Sequence, residues 1–203
     1  MRRNRSISTH TGYVEACYPP CTNWSEFTVT ETLDALVRRT REARGLTQHD
    51  VAQATRTTVS RISRIERGSE LLGFPKSARL AKCLKLDHKR VISAILQSLV
   101  ARAELDYRVR LLASGKKKRP RAGEEVARLR YAAELSVRQL AKLAGMLPSR
   151  VAKVENDPIL VLQPATAARF ADALGVERPD LVELALQDLL SKHKLGQYRV
   201  KLK

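Results

Sequence analysis

The chain has 203 residues, and its 38 lysines and arginines against 21 acidic residues give a formal net charge of +17. Such an excess requires an anionic partner, of which nucleic acid is the usual one and an anionic membrane surface the rival. Aromatic residues make up only 4% of the chain and strand-type alternation is hard to find, so the composition predicts aliphatic, helical cores.

The sequence carries no recognisable membrane or secretion signal. No apolar run approaches the roughly 18 residues of a membrane-spanning helix. The N-terminal Met1-Arg2-Arg3-Asn4-Arg5 is basic but lacks the apolar stretch of a signal peptide. We therefore expect a cytoplasmic, nucleoid-associated protein whose cysteines are reduced.

The first predicted helices follow an irregular arm of residues 1–30, which contains two adjacent prolines and no helical period. Apolar spacing predicts a first helix from Leu33, ended by Gly45 at the C-terminal capping position. Thr47 and Thr58 are the expected N-caps of two short helices, the second of which ends at Gly68. The residues expected to face inward on these two helices are Val51, Ala52, Ile62 and Ile65.

Two longer helices complete the first unit. Pro75, at a first helical position, opens a fourth helix that runs through Leu84. A fifth begins at His88, and its apolar pattern has room to continue toward Leu112 before Gly115 stops it.

The same helical pattern then occurs a second time, about ninety residues later. Gly45 to Ala52 is answered by Glu134 to Ala141, and Ser60 to Glu66 by Ser149 to Glu155 in one gapless register. After a one-residue slip the match resumes and extends into the fifth helix, where Val91, Ile92, Leu96 and Gln97 correspond to Leu181, Val182, Leu186 and Gln187. A self-match this long fixes the architecture before any local prediction, and it indicates two small domains.

The two repeats differ in charge. Residues 31–104, the first domain, carry a net charge of +7, whereas residues 121–192, the second, are neutral. A basic linker, 105–120, adds +5, and a basic tail, 193–203, adds +4. We therefore expect the two domains to share a fold and differ in electrostatic character.

Leu46-Thr47-Gln48, Val51-Ala52 and Ile62-Ser63-Arg64-Ile65-Glu66-Arg67-Gly68 resemble the helix-turn-helix of phage Cro and lambda-type repressors, the Xre family. The resemblance covers residues 32–100 well and 122–190 less sharply. It implies an all-α protein of two tandem five-helix lambda-repressor-like domains joined by the basic linker, with double-stranded DNA as partner. One departure is Arg56, where the family usually has a turn glycine, so this arginine is expected to adopt a positive φ or a distorted turn.

The resemblance assigns DNA contacts to the first repeat. The third helix would enter the major groove, so the base-contacting candidates are Val59, Ser60, Arg61, Ser63 and Arg64. The phosphate-contacting candidates are Gln48, Thr58, Arg67, Arg38, Arg41 and Arg44. The alternative for these arginines is a solvated helix face.

The second repeat keeps the fold signals and loses part of the DNA-binding pattern. Val137 stands in place of Gln48, Leu147 in place of the capping hydroxyl of Thr58, and Ala152 in place of Ser63. The candidate second set of DNA contacts is Arg138, Ser149, Arg150 and Lys153. The alternative is that this copy is a dimerisation or partner-binding module.

The remaining candidates lie outside the two domains. Lys116, Lys117, Lys118 and Arg119 are candidate linker contacts to the phosphate backbone or minor groove, the alternative being a solvated hinge. Cys17 and Cys21, with His10 upstream, form too loose and incomplete a set for zinc, so no metal or other cofactor is expected. No catalytic motif is found, and we expect no enzyme activity.

These observations predict a sequence-specific DNA-binding transcriptional regulator of a prokaryote, phage or mobile element, acting by operator occupancy. The alternative is an architectural or partner-binding DNA-associated protein, such as a partition, replication or antitoxin-like component. If the chain forms a homodimer or binds a protein partner, helix 5 or the second domain would provide the contact surface. No membrane association is expected.

Overall fold

The computed structural model describes residues 31–113 and 119–202, which form ten helices and two short strands. The first repeat contains α1 (Leu33–Ala43), α2 (Gln48–Thr55), α3 (Val59–Glu66), α4 (Phe74–Cys83) and α5 (His88–Arg102), followed by β1 (Val109–Ala113). The second repeat contains α6 (Ala122–Ala132), α7 (Val137–Leu143), α8 (Pro148–Asn156), α9 (Pro164–Leu174) and α10 (Arg178–Lys192), followed by β2 (Tyr198–Leu202). The prediction of two tandem five-helix units is confirmed.

Each unit is built around the apolar positions that its helical periodicity predicts. Ile62 and Ile65 of α3 are buried, as are their counterparts Val151 and Val154 of α8. Buried leucines, isoleucines and valines of α1, α5, α6 and α10 surround them, and the buried residues of both repeats belong to one continuous cluster. Aliphatic burial of this kind supplies the main favourable term in folding.

The expectation that helix 5 continues toward Leu112 is wrong, because α5 ends at Arg102. Glu104 has a φ of 55°, and the Leu105 N–H donates to the Val100 carbonyl at 3.2 Å, which closes the helix and reverses the chain. Residues 105–120, predicted as a linker, therefore contain β1, and the predicted tail, 193–203, contains β2.

The two strands pair with each other and join the ends of the two repeats. The pairing is antiparallel, with Val109 opposite Leu202, Arg110 opposite Lys201, and Leu111 opposite Val200. The strand sequences are themselves repeated, since Tyr107-Arg108-Val109-Arg110-Leu111 matches Tyr198-Arg199-Val200-Lys201-Leu202 at a spacing of 91 residues. Each valine thus faces the other strand's leucine, and Arg110 faces its own counterpart, Lys201. This register is that of an approximate two-fold axis passing through the Arg110–Lys201 pair.

A glutamine from the last helix of each repeat holds its strand in the same way. In the first repeat the Gln97 side chain donates to the Tyr107 carbonyl at 2.9 Å and accepts from the Val109 N–H at 2.8 Å. In the second, Gln187 donates to the Tyr198 carbonyl at 2.9 Å and accepts from the Val200 N–H at 3.0 Å. Each amide binds backbone groups at the outer edge of its strand, so these groups are not available to pair with a further strand. Because both strands are fixed identically to α5 and α10, the two-fold relation extends to the helices.

Contacts across the axis are also reciprocal. In one direction α5 packs against α9, and in the other Phe74 of α4 stacks on His193, which follows α10, with ring centroids 5.1 Å apart. Glu183 of α10 adds a local support, since its carboxylate accepts the Leu202 N–H at 2.7 Å and pairs with Lys201 at 3.2 Å. Part of helix 5, which was predicted as one route to a homodimer or protein partner, therefore packs against the second repeat of the same chain.

Candidate nucleic-acid interface

The second helix of each unit is oriented by well-formed N-caps. In α2 the Thr47 hydroxyl accepts from the Asp50 N–H at 3.2 Å, and the Asp50 carboxylate accepts the Thr47 N–H at 2.7 Å. The Thr47 hydroxyl also donates to the Asp50 carboxylate at 2.7 Å, and this hydrogen bond, together with the one from the Thr47 N–H, holds the pKa of Asp50 below its ordinary value. Ser136 and Gln139 form the same reciprocal box at the start of α7. A capping box satisfies backbone donors that a helix N-terminus leaves unpaired.

The turn between α2 and α3 adopts the conformation expected at Arg56. This residue has φ 51° and ψ 57°, so the positive-φ prediction is confirmed. The Arg56 carbonyl accepts a hydrogen bond from Lys76 Nζ at 3.0 Å. After the turn, the Thr58 hydroxyl accepts from the Arg61 N–H at 3.3 Å and caps α3. The turn and the cap together present α3 rigidly.

The five base-contacting candidates all lie on the solvent side of α3. Val59, Ser60 and Arg64 are exposed, and Arg61 and Ser63 are half-buried. Ile62 and Ile65 occupy the opposite, core side. A short helix with one buried stripe and a polar outer side fits the width of a B-DNA major groove.

An acidic residue that the sequence did not single out lies among these candidates. Glu70 forms ion pairs with both arginines: one carboxylate oxygen lies 2.6 Å from Arg61 Nε and the other 3.1 Å from Arg64 Nε. The 2.6 Å contact is not a hydrogen bond, since Arg61 Nε is buried without a hydrogen-bond partner. Gly68, with φ 72°, turns the chain back toward α3, and the Ser69 and Glu70 N–H groups donate to the Arg64 carbonyl at 3.0 and 3.3 Å. One carboxylate therefore bridges both arginines among the base-contacting candidates.

Gln48, the predicted phosphate contact at the start of α2, is tied to the core. Its side-chain amide donates to the Glu66 carboxylate at 2.8 Å. The residue is half-buried, so it lies at the edge between the core and the α2–α3 surface. At the corresponding place in the second repeat, Val137 is half-buried and has no hydrogen-bonding side chain.

Three of the predicted phosphate contacts also form hydrogen bonds or ion pairs within the chain. Arg41 forms a 2.6 Å ion pair with buried Glu66, and its side chain is only 14% exposed. Arg44 donates to the Cys83 carbonyl at 2.7 Å, and Arg38 to the Glu66 carbonyl at 2.5 Å. Arg41 and Arg44 are half-buried, whereas Arg38, Thr58 and Arg67 are exposed, and all five stay candidates for phosphate contact.

The second repeat reproduces the buried ion pair and changes the outer surface. Arg130 pairs with Glu155 at 2.7 Å, as Arg41 does with Glu66. The four candidate contacts Arg138, Ser149, Arg150 and Lys153 are all exposed. Ile159 occupies the register position of Glu70, and within residues 31–113 and 119–202 no carboxylate forms an ion pair with Arg150 or Lys153.

The surface around α8 carries aliphatic side chains in place of polar ones. Leu143, Leu147 and Ile159 are 59%, 72% and 78% exposed. Leu147 stands at the N-cap of α8, where its side chain makes no capping hydrogen bond. The two repeats therefore expose chemically different surfaces at equivalent positions.

The other predicted sites contribute little that the structure describes. Lys116, Lys117 and Lys118 lie outside the described residues, as do the 1–30 arm and Cys17, Cys21 and His10. Arg119 is half-buried, with its guanidinium 3.9 Å from the Glu183 carboxylate. Among the described residues there is no cluster of side chains suited to a metal ion and no helix long and apolar enough to cross a membrane.

Comparison with protein-family models supports the geometry. A model described as "Helix-turn-helix domain" matches the chain twice, over residues 33–91 and 121–185, which together exceed half of its length. The chain belongs to the helix-turn-helix domain family. Members of this family bind DNA through a helix-turn-helix whose second helix lies in the major groove. Neither the curated proteins nor the solved structures yielded a significant match.

Proposed function

We propose that this helix-turn-helix protein is a sequence-specific transcriptional regulator of the Xre type, similar to Cro and lambda-type repressors. It acts by occupying an operator on double-stranded DNA in a prokaryote, phage or mobile element, within the nucleoid-associated cytoplasm. The observation that carries the proposal is the antiparallel β1–β2 register, which relates the two helix-turn-helix units by an approximate two-fold axis.

A two-fold axis places equivalent helices at the same height along the axis and on opposite sides of it. Here the equivalent helices are α3 and α8, so a single chain has the symmetry that dimeric helix-turn-helix proteins achieve with two chains. Such dimers contact half-sites about 34–36 Å apart, one turn of DNA. Because the exposed residues of α3 and α8 differ, the expected operator has two unequal half-sites.

We also propose wider domain limits, which include the strands. The first unit extends from residue 31 through β1, beyond the predicted 31–104, and the second runs from about 119 through β2, beyond the predicted 121–192. The basic segment with Lys116, Lys117 and Lys118 then joins the units directly and supplies salt-sensitive phosphate affinity.

The test is selection of genomic DNA fragments by the purified full chain at near-physiological salt, followed by sequencing. Two unequal half-sites one turn apart are expected. A palindrome or a single half-site would contradict simultaneous base contact by both repeats. Fragments without any shared motif would favour an architectural DNA-binding protein.

A second candidate function is supported by the exposed aliphatic residues Leu143, Leu147 and Ile159. Exposed apolar clusters rimmed by polar residues are typical of protein contact sites. In this alternative the second repeat holds a protein partner, as a partition, replication or antitoxin-like component would, while the first repeat contacts DNA.

Replacing these three residues by serine distinguishes the two functions. If the second repeat contacts DNA, the triple variant changes the selected motif at one half-site and leaves the oligomeric state unaltered. If it is a protein-contact surface, the motif is unchanged, and light scattering shows loss of a self-associated or partner-bound species that the wild-type chain forms.

A further inference from the structure

We infer that Glu70 is a specificity-determining residue, which positions Arg61 and Arg64 for base contact and limits their attraction to unrelated DNA. This inference rests on the proposed function and names a residue that sets its selectivity. Its basis is the carboxylate that bridges the two arginines, one oxygen to each Nε, at 2.6 and 3.1 Å.

The position of Glu70 is determined by the backbone. Gly68 reverses the chain at φ 72°, and three hydrogen bonds converge on the Arg64 carbonyl, from the Ser69 N–H, the Ser69 hydroxyl and the Glu70 N–H. The carboxylate is thus attached to the end of the helix whose side chains it contacts. A rigid support reduces the conformational entropy that two long side chains lose on binding.

The contact geometry suits base recognition. A guanidinium is planar and carries five N–H donors. The Glu70 carboxylate forms an ion pair at Arg61 Nε without a hydrogen bond, so the terminal N–H groups of Arg61 stay available for a second partner. Guanine offers two acceptors, O6 and N7, to such N–H groups, whereas the other bases do not offer this pair. Arg61 and Arg64 lie three residues apart on one side of α3, and a common carboxylate holds them in a fixed relation.

Glu70 also changes the charge that the helix presents to DNA. Without it Arg61 and Arg64 would contribute two positive charges, and with it their cluster contributes one. Non-specific affinity depends on the number of phosphates neutralised, so the carboxylate lowers affinity for every sequence. Base contacts restore affinity only at the correct site, which is how repulsive elements generate specificity.

The second repeat provides an internal control. Ile159 occupies the register position of Glu70, and Arg150 and Lys153 those of Arg61 and Arg64. In this repeat the loop carboxylate Asp157 is used by the backbone, accepting from the Ile159 N–H at 2.9 Å. Arg150 and Lys153 therefore have no positioning carboxylate among the described residues, and we expect them to discriminate bases less sharply.

The experiment compares the full-length wild type with Glu70→Ala and the reciprocal Ile159→Glu. Fluorescence anisotropy measures the dissociation constants for a duplex carrying the wild-type selected motif and for a scrambled duplex of equal composition, across a salt series. Selection from a randomised library gives the base preference of each variant. Thermal unfolding monitors the integrity of the fold.

For Glu70→Ala we expect scrambled DNA to bind about eightfold more tightly at about 0.1 M salt, with a salt slope steeper by about 0.9. The ratio of the two dissociation constants falls by roughly fivefold or more, and base preference broadens in one half-site only. Ile159→Glu has the opposite effect on scrambled DNA, weakening its binding with a shallower salt slope.

Two results would overturn the inference while leaving the proposed function intact. If Glu70→Ala binds both duplexes more tightly by the same factor and selects an unchanged motif, Glu70 acts only through its charge and does not determine specificity. If Glu70→Ala binds both duplexes more weakly by the same factor and unfolds at a lower temperature, the role of Glu70 is purely structural. A wild-type chain that does not distinguish the two duplexes would instead remove the proposed function, and this inference with it.

Discussion

The two repeats share their helices, the capping box of α2 and α7, and a buried Arg–Glu pair, yet they differ at the positions that meet solvent beside α3 and α8. The first repeat has Thr58 and Glu70 where the second has Leu147 and Ile159. Residues 31–104 carry a net charge of +7, and residues 121–192 are neutral. Core positions are constrained by packing, whereas surface positions are free to specialise, so a duplicated fold retains its architecture while its binding surfaces diverge.

The largest expected difference concerns the buried ion pairs. Glu155→Ala leaves Arg130 unpaired at 6% side-chain exposure, and losing one partner of a buried pair costs about 3–5 kcal/mol. Glu66→Ala should cost less, because Arg41 is 14% exposed and keeps a second carboxylate, Glu42, at 3.2 Å. Urea unfolding followed by circular dichroism measures both.

The double replacement Arg130→Met with Glu155→Leu is the control for that comparison. It removes both charges together, so its effect on the free energy of unfolding should be small. If Glu66→Ala proves as destabilising as Glu155→Ala, the two pairs are equally dependent on their carboxylates and the comparison fails.

The next largest expected effect on stability comes from a packing difference between α1 and α6, the first helices of the two units. A methyl group added at Gly123 of α6 would collide with the Val154 carbonyl of α8. The corresponding residue of α1 is Asp34. In the first unit, α1 and α3 therefore leave room for a side chain at this position. Gly123→Ala should destabilise the chain by about 1–3 kcal/mol, as overpacking does.

Gly196→Ala serves as the matched control for Gly123→Ala, since nothing lies within 4 Å of a methyl group there. Thermal unfolding of both variants measures the difference. A Gly123→Ala chain as stable as the Gly196→Ala chain would show that α6 and α8 separate without cost.

A smaller effect is expected from the caps of α3 and α8. Thr58→Ala removes the hydroxyl that accepts from the Arg61 N–H and should cost about 1 kcal/mol. Leu147→Thr supplies the missing cap in the second unit and should stabilise by up to about 1 kcal/mol, because Leu147 is exposed and buries little. Opposite shifts in unfolding temperature are the expected outcome, and shifts of the same sign would contradict it.

The smallest effect concerns pH at the contact between the units. Burial lowers the pKa of His193, which stacks on Phe74 and lies beside Lys192, and the corresponding residue of the first repeat is Ala103. The unfolded chain binds the proton more readily than the folded one, so this stability is complete above the ordinary pKa of 6.5 and declines as pH falls through the lowered value.

His193→Phe keeps the ring contact and removes the titration. Its unfolding temperature should therefore fall less than that of the wild type between about pH 7.5 and 5.5. Identical pH dependence of the two chains would show that protonation of His193 does not affect folding.

Local patterns in the sequence were sufficient for the helical architecture. Helical periodicity located the buried pairs Ile62–Ile65 and Val151–Val154, and the cap residues Thr47 and Thr58 located helix starts. These features are readable because each depends on residues within one or two turns of the chain. The repeat then supplied the second unit by correspondence with the first.

The contacts of the candidate interface could not be predicted from such local patterns. Arg41, Arg44 and Arg38 resemble any surface arginine in sequence, and only the folded chain brings Glu66 and the end of α4 to them. Glu70 contacts Arg61 across nine residues because Gly68 turns the chain back. The Tyr-Arg-Val sequence repeated at the two strands was a usable signal, although two strands this short have no stability of their own.

The sequence by itself thus determined that this protein contains two helix-turn-helix units with aliphatic cores, because periodicity and capping act locally. Only the tertiary structure decided how the units are related. Strand pairing between residues about ninety positions apart, and the glutamines that hold each strand, depend on packing of complete units. Such long-range pairing leaves no local pattern, since its energy is gained only after both units have folded.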